Sequence, residues 1–376
     1  MGASSRPVMN VNQGSLSSPP EEARSTSGAG SGGTHVPRVS VLMTYYNKGE
    51  YVEEAVRSVL ASTFTDFELL VVDDASTDGG LDLVRNFRDT RIRILESDVN
   101  TGRAAAANRG YEAALGEYIA ILDADDVMGP DRLAKQVSFM DTHPEIGALG
   151  TYATELGTDR LMGAWKLTDR ECRGTMLLGD AFCYGSSMLR ASVIREHGIR
   201  SDANWRLPGE DYLFMISLSK FTKFANLSES LTYYRLGEQN QRYGRDPVAD
   251  RGALFMEAFR RFGFPVTSEQ MRLYLMLHRL FSSKPVAQDV HDLRKFLDDL
   301  IEWNRKCNIF PADVFEEALE TRWSRLFHRF CEFGVVHGWV HLSISKAYTA
   351  AKLYYLLRQA IDRTLGTVRE DPLRLP

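Results

Sequence analysis

The chain has 376 residues, of which 44% are hydrophobic, 25% charged and 10% aromatic, which excludes wholesale disorder and leaves room for two domains or three. Forty-five Lys and Arg against fifty Asp and Glu give a net charge of −5, which excludes a general nucleic-acid binder, so no nucleic-acid partner is expected. Four cysteines, Cys172, Cys183, Cys307 and Cys331, make no CxxC pair; this excludes a disulfide framework or a cysteine zinc site and fits a cytoplasmic location.

Residues 1–36 are rich in Ser, Gly, Pro, Thr and Ala, lack apolar periodicity, and read as a disordered tail. The opening MGASSRPVMNVNQ has no apolar stretch of the signal-peptide kind, and Gly2 with Ser5 departs by one position from a myristoylation pattern. Residues 28–33 fit GxGxxG in form only, because no strand precedes them.

From residue 39 the texture changes. VSVLM at 39–43 predicts a buried strand, and Tyr51, Val52, Ala55, Val56, Val59 and Leu60 share one helical stripe behind it. A second strand is predicted over 67–72, then a helix capped by Ser76, Thr77 and Asp78 and carrying Leu81, Val84 and Phe87. A third strand follows at 91–95, an alanine-rich helix at 104–115 and a fourth strand at 118–122. Pro130 opens a helix with Leu133, Val137 and Met140 inward. Between 147 and 234 the pattern is mixed, with strands expected near 181–189 and 228–234 and a helix over 211–220. Strand–helix alternation predicts a Rossmann-like, mostly parallel α/β sheet with helices on both faces, over a domain spanning 37–245.

Residues 250–376 predict an appended helical bundle. Its stripes are Leu254, Phe255, Ala258 and Phe262; Leu293, Phe296, Leu297, Leu300 and Ile301; Leu319, Trp323, Leu326 and Phe330; and Ile344, Ala347, Ala351, Tyr354 and Ile361. No apolar run reaches the roughly eighteen residues of a transmembrane helix. The nearest, 333–345, lacks Asp, Glu, Lys and Arg but is too short, and its His337 and His341 read as core or surface histidines. Lys346, Lys352, Arg358 and Arg363 do not share one face, so peripheral contact with the inner face of a membrane has no support from these charges.

In a parallel sheet, ligands bind beyond the carboxyl ends of the strands. Three strands end in polar groups: Thr44 to Asn47, Asp73-Asp74, and Asp123-Ala124-Asp125-Asp126. Three carboxylates within four residues repel one another unless a positive group sits among them. A hard cation, Mg²⁺ or Mn²⁺, takes oxygen ligands and bridges to phosphates; a solvated acidic turn is the plainer alternative. Asp74 can accept from a base N–H or a ribose hydroxyl, or simply cap a helix. Arg103, in NTGR before the alanine-rich helix, can meet a base or phosphate, or lie on the surface.

VSVLMTYYNKGEYVEEAVRSVLASTFTDFELLVVDDASTDG, NTGRAAAANRG and YIAILDADDVMGPDRL together resemble the inverting nucleotide-sugar glycosyltransferases of family 2, over about half the chain. MTYYNKGEYV and PDRLAKQVSFMDTHPE are similar to the spore-coat polysaccharide members in particular. The resemblance implies a GT-A fold and transfer of a single sugar from a nucleotide-diphosphate donor, UDP-linked by preference, to a hydroxyl on a glycan or lipid-linked acceptor, in polysaccharide or cell-envelope synthesis. It places Thr44, Tyr46 and Asn47 at the nucleobase, Asp74 on the base, Arg103 near base and phosphates, and Asp123 and Asp125 as the D-x-D that holds Mg²⁺ or Mn²⁺. It places the catalytic carboxylate in the Glu210-Asp211 pair, with Asp211 as base and Glu210 and Trp205 in the acceptor region. A non-catalytic GT-A scaffold acting through its helical C-terminus is the alternative. Gly237 stands where many relatives carry a histidine, and QNQRY at 239–243 resembles a processive-synthase motif without the membrane helices that accompany it.

Overall fold

The structure, a computed structural model, describes residues 35–365 apart from 239, 241–242 and 347–348. Residues 1–34 of the predicted tail, with Gly2, Ser5 and the 28–33 glycine run, lie outside the described residues, as do Gln239, Gln241 and Arg242.

The first half alternates as predicted: β1 (Val39–Tyr45), α1 (Gly49–Leu60), β2 (Phe67–Asp73), α2 (Gly80–Asn86), β3 (Ile92–Leu95), α3 (Arg103–Ala113) and β4 (Tyr118–Ile121). There follow β5 (Val127–Met128), α4 (Arg132–Thr142), β6 (Ile146–Glu155), α5 (Asp169–Thr175), β7 (Met188–Arg190), α6 (Ala191–Glu196), α7 (Glu210–Leu218) and β8 (Lys223–Tyr234). One 8-stranded mixed sheet runs β3-β2-β1-β4-β7-β6-β8-β5. The strands β3, β2, β1 and β4 are parallel neighbours, β7 runs against β4 and β6, and β6 pairs parallel with β8. Tyr45 pairs with Asp73 and Leu42 with Ile121, so the polar ends of β1, β2 and β4 open on one edge of the sheet.

The unbroken apolar run of β1 is explained by cover on both faces. Val41 and Met43 pack with Val52, Val56 and Val59 of α1, Val84 of α2, and Leu133, Val137 and Met140 of α4. Leu42 points the other way, into a core with Ala106 and Tyr111 of α3 and Phe214 of α7. That second core continues without a break into the helices that follow: α8 (Pro247–Phe262), α9 (Ser268–Met276), α10 (Ala287–Cys307) and α11 (Ala312–Phe333). α12 (Val335–Ser343) and α13 (Ala350–Thr364) close the described chain. Among the described residues no helix is long and apolar enough to cross a membrane.

Several expectations are corrected. The strand expected over 181–189 is a 3-10 turn at Tyr184–Ser186 followed by the short β7; Ser186 Oγ donates back to Cys183 O and Thr151 O and fixes the turn. β6, ten residues long, was hidden by its glycines. Gly150 is required there, because a Cβ would lie 2.1 Å from Asn226 Oδ1 and 2.4 Å from Phe182 Cβ. α2 starts at Gly80 behind Gly79 in the left-handed region, with no side-chain cap from Ser76 or Thr77. Asp78 instead ties two helix starts together, accepting from Gly49 N at 2.6 Å and Gly80 N at 3.1 Å. The last predicted stripe is not a core stripe: the helix breaks after Ser343, and Tyr354 and Ile361 are exposed while Leu356 is the buried side chain of α13.

Candidate active site

The turn after β4 carries the acidic cluster. Asp126 N donates to Asp123 O, which curls 123–126 back on itself and sets three carboxylates near one another. Each of the first two meets a cation of the chain. Arg103 Nη2 donates to Asp123 Oδ1 at 3.2 Å, and Lys48 Nζ to Asp125 Oδ2 at 2.8 Å. Asp126 Oδ1 accepts from Arg235 N at 2.9 Å, whereas its buried Oδ2 has no hydrogen bond among the described residues. Burial, with Asp123 beside it, pushes Asp126 well above the ordinary carboxylate range. Asp123 is raised too, by burial first and against the pull of Arg103.

Arg103, the first residue of α3, joins this turn to the Glu210-Asp211 pair. Its Nε lies 3.1 Å from Glu210 Oε1, an ion pair in which the N–H is not aimed at the oxygen. Burial opposes the guanidinium charge, but Asp123, Glu210 and Asp211 outweigh it and hold Arg103 well above its usual value. Glu210 is buried and raised by that burial, with Arg103 opposing. Asp211 is half-buried, and its Oδ1 accepts from Tyr212 N at 2.8 Å. The two acidic pairs predicted from sequence therefore line one place, with Arg103 between them.

Thr44, Tyr46, Asn47 and Asp74 occupy the same edge with differing engagements, and Trp205 lies between α6 and α7. Asp74 is buried; Oδ1 accepts from Thr101 N, Thr101 Oγ1 and Arg109 Nη2, and Oδ2 from Gly102 N at 2.7 Å. It thereby shapes the loop that leads into α3. Asn47 sits at φ 48°, and its Oδ1 accepts from Thr77 N at 2.9 Å. Tyr46 is half-exposed and Thr44 half-buried. Trp205 packs against the larger core with its indole N–H unbonded among the described residues.

Sequence reading missed Lys48, Arg235 and Arg132. Lys48 follows Asn47 directly, but nothing in the sequence sends it to Asp125. Arg235 directly follows β8, donates from Nε to Asp125 O at 2.9 Å, pairs with Glu54 and stacks over Tyr51. Arg132, fully buried, ties the carbonyl of Ile121 in β4 to those of Gly185 and Ser187.

The donor set fits a hard divalent cation. All the candidate ligands are carboxylate oxygens, and a cation would offset the burial and the mutual repulsion that raise Asp123 and Asp126. Among the described residues no group of three or more His, Cys, Asp and Glu side chains is arranged to hold a metal unaided.

Residues 40–198 match the family model described as glycosyl transferase family 2. The putative glycosyltransferase EpsE of Bacillus subtilis (strain 168) is 31% identical over 69% of this chain and 94% of its own length. The chain belongs to glycosyl transferase family 2. A further relative of this glycosyltransferase is the UDP-Glc:alpha-D-GlcNAc-diphosphoundecaprenol beta-1,3-glucosyltransferase WfaP of Escherichia coli, 28% identical over 53% of the chain and 77% of that protein. TarS 1–349 of S. aureus, solved in complex with UDP, superposes with a TM-score of 0.52 at 18% identity, covering 88% of this chain and 92% of that one. That likeness gives the fold, GT-A with helices following the sheet.

The unsatisfied Asp126 carries a cost that can be measured. A group whose folded pKa is raised stabilises the fold when protonated and loses that contribution as pH rises through the folded value. Asp126→Asn keeps the Oδ1 acceptor for Arg235 N and removes the charge. A Cβ on Gly185 would lie 3.1 Å from Asp123 Oδ2 and 3.6 Å from Asp126 Oδ2, so the two oxygens face the same spot. The new amide can donate there. Denaturant unfolding of the ligand-free glycosyltransferase should show a gain of about 1–2 kcal/mol at alkaline pH, shrinking as the pH falls and the native Asp126 takes up its proton. An Asp126→Asn variant no more stable at the higher pH contradicts the assignment.

Proposed function

We propose that this glycosyltransferase moves one sugar from a UDP-sugar to a hydroxyl of a glycan or lipid-linked acceptor, with inversion at the anomeric carbon. The observation that carries the reading is Arg103, whose one guanidinium touches both Asp123 and Glu210 and so puts the D-x-D and the Glu210-Asp211 pair around a common space. The name of WfaP supports a UDP-linked donor and a lipid-diphosphate acceptor.

On this reading the catalytic unit is 37–245, and the helices from 250 on extend it. The base lies over the ends of β1 and β2. Half-exposed Tyr46 offers it a ring face, Thr44 and Asn47 line the turn, and Asp74 acts from its remaining acceptor capacity at Oδ2 and through the loop it braces. Mg²⁺ or Mn²⁺, held by Asp125 and Asp123, would neutralise charge on the departing diphosphate. Lys48 and Arg103 balance those aspartates before the donor arrives, and both cations lie beside the space that the diphosphate enters. Asp211, the less buried of its pair, accepts the proton of the attacking hydroxyl, which is a poor nucleophile without a base. Glu210 positions Arg103, and Trp205 borders the acceptor side. In-line attack opposite the diphosphate inverts the sugar without a covalent intermediate.

The donor class is tested by incubating the protein with UDP-, GDP- and dTDP-sugars in Mn²⁺ and measuring free nucleotide and nucleotide binding. At least one UDP-sugar should bind and release UDP about tenfold faster than any GDP- or dTDP-sugar releases its nucleotide. Release confined to GDP- or dTDP-sugars overturns the base assignment. No binding of any nucleotide at millimolar concentration overturns the reading as a whole.

A further inference from the structure

We propose that Tyr184 is a positioning residue of the transfer site: its ring holds the Arg103 guanidinium astride the two acidic pairs. This rests on the reading of Arg103 as the link between the D-x-D and the Glu210-Asp211 pair, and adds the side chain that keeps it there. A guanidinium beside two carboxylates closes most favourably on one of them, with two parallel N–H bonds to its two oxygens. Arg103 does not. Its Nη2 donates to Asp123 Oδ1 at 3.2 Å, and its Nε stands 3.1 Å from Glu210 Oε1 without aiming at it, so one fork is divided between two partners. A third contact has to stop the fork from turning to either side. It is the face of Tyr184: the guanidinium carbon lies over that ring, 5.9 Å from its centre. A cation is drawn to the electron-rich face of a phenol ring, and a neutral ring brings no charge of its own to compete for the fork. Burial holds the Tyr184 hydroxyl well above its usual range, so the ring stays neutral.

Tyr184 is itself fixed from several sides. It is buried, and it opens the 3-10 turn Tyr184–Ser186, whose Gly185 faces Asp123 Oδ2. Its carbonyl accepts from Ser187 N at 3.0 Å and from Ser187 Oγ at 2.8 Å. Its hydroxyl shares a hydrogen bond with the hydroxyl of Tyr111 on α3. Its ring meets Phe214 of α7 edge-on with centres 6.0 Å apart, and Tyr111 stacks on the same Phe214 at 5.2 Å. Phe214 lies one turn after Glu210 on α7, and Tyr111 two turns after Arg103 on α3. The three rings therefore brace the two helices whose first residues, Arg103 and Glu210, form the ion pair. The ring under the guanidinium is held by the same elements that carry its two carboxylate partners, so it can set the direction of the fork.

The test is titration of UDP with Mn²⁺ into the full chain and its variants, with thermal melting of each. Tyr184→Leu removes the ring face and should weaken UDP binding about tenfold, and Arg103→Met should weaken it at least as much. Tyr184→Phe keeps the ring face, loses only the hydroxyl, and should bind within about threefold of the native protein. The double variant Tyr184→Leu/Arg103→Met should bind within about twofold of Arg103→Met alone, since Tyr184 acts through a guanidinium that is then gone. Should Tyr184→Leu melt early, Tyr184→Met, longer and more adaptable, occupies the site without a ring face and takes its place in the cycle. Losses that add in the double variant, native-like binding by Tyr184→Leu, or a Tyr184→Phe protein as weak as Tyr184→Leu overturn the proposal and leave the reading of Arg103 intact. Native-like UDP binding by Arg103→Met, or no UDP binding by the native protein, overturns that reading and the proposal with it.

Discussion

Asp211→Asn is expected to lower sugar transfer by about 10²–10⁴ while leaving the dissociation constant for UDP and Mn²⁺ within about threefold. The amide keeps the size of the carboxylate and can still accept from Tyr212 N, so the start of α7 is preserved. What it loses is the ability to take the hydroxyl proton, which corresponds to about 3–5 kcal/mol of barrier. Glu210→Gln acts differently. Glu210 is buried against Arg103, and its replacement removes a counter-charge from a guanidinium that also serves Asp123. Its effect should fall on donor binding as well as on turnover, and on turnover it should be smaller. Steady-state rates and UDP titrations on both variants separate the roles. Near-normal transfer by Asp211→Asn with a dead Glu210→Gln protein reverses the assignment.

The largest stability effect is expected at Arg132. This side chain is fully buried at the start of α4, and among the described residues no carboxylate pairs with it. Its charge is met by carbonyls instead: Nη1 donates to Gly185 O at 3.1 Å, and Nη2 to Ile121 O at 2.8 Å and Ser187 O at 2.9 Å. Nε donates to Gln136 Oε1, and Gln136 passes its amide protons to Leu149 O and Ser186 O. Burial pulls the Arg132 pKa down to about 10, against the raising effect of Cys183, Asp126 and Asp123. Arg132→Leu leaves polar groups of three segments without their donor and should cost about 3–5 kcal/mol in denaturant unfolding. Arg132→Lys retains the charge but not the forked geometry and should fall between. Because Ile121 leads into the D-x-D and Gly185 faces Asp123, nucleotide binding should weaken in both variants. An Arg132→Leu variant as stable as the native protein contradicts this account.

Much of the fold was legible because its signals are local. β1, β2 and β4 are covered on both faces, and that writes a run of apolar residues with no alternation. Their polar ends follow from the same register, so the D-x-D and Asp74 could be placed on one edge before any contact was known. The stripes of α10 and α11 are equally local, and every residue named for them is buried. What escaped depends on tertiary partners. Arg132 and Gln136 fall on the inward face of α4 with Leu133, Val137 and Met140, and a periodicity argument admits only apolar residues there. Gly147 and Gly150 disguised β6 because close approach of Thr222, Asn226 and Phe182, invisible in the sequence, is what demands them. The stripe of α13 shows a different limit: helical spacing reveals that one face is apolar but not whether protein covers it. Lys48 and Arg235 reach the acidic turn from the far ends of the catalytic region, and only the assembled sheet brings them there.

The claim on which the account rests is that the turn after β4 holds a nucleoside diphosphate through a divalent cation. Calorimetric titration of UDP into the native protein and into Asp125→Asn, each with Mn²⁺ and with a chelator, tests it most directly. The native protein should bind UDP at least about tenfold more tightly with Mn²⁺, and Asp125→Asn should lose that difference while matching the native protein in chelator. Equal loss of affinity with and without Mn²⁺, or native binding indifferent to the metal, would show that Asp123 and Asp125 act without a cation.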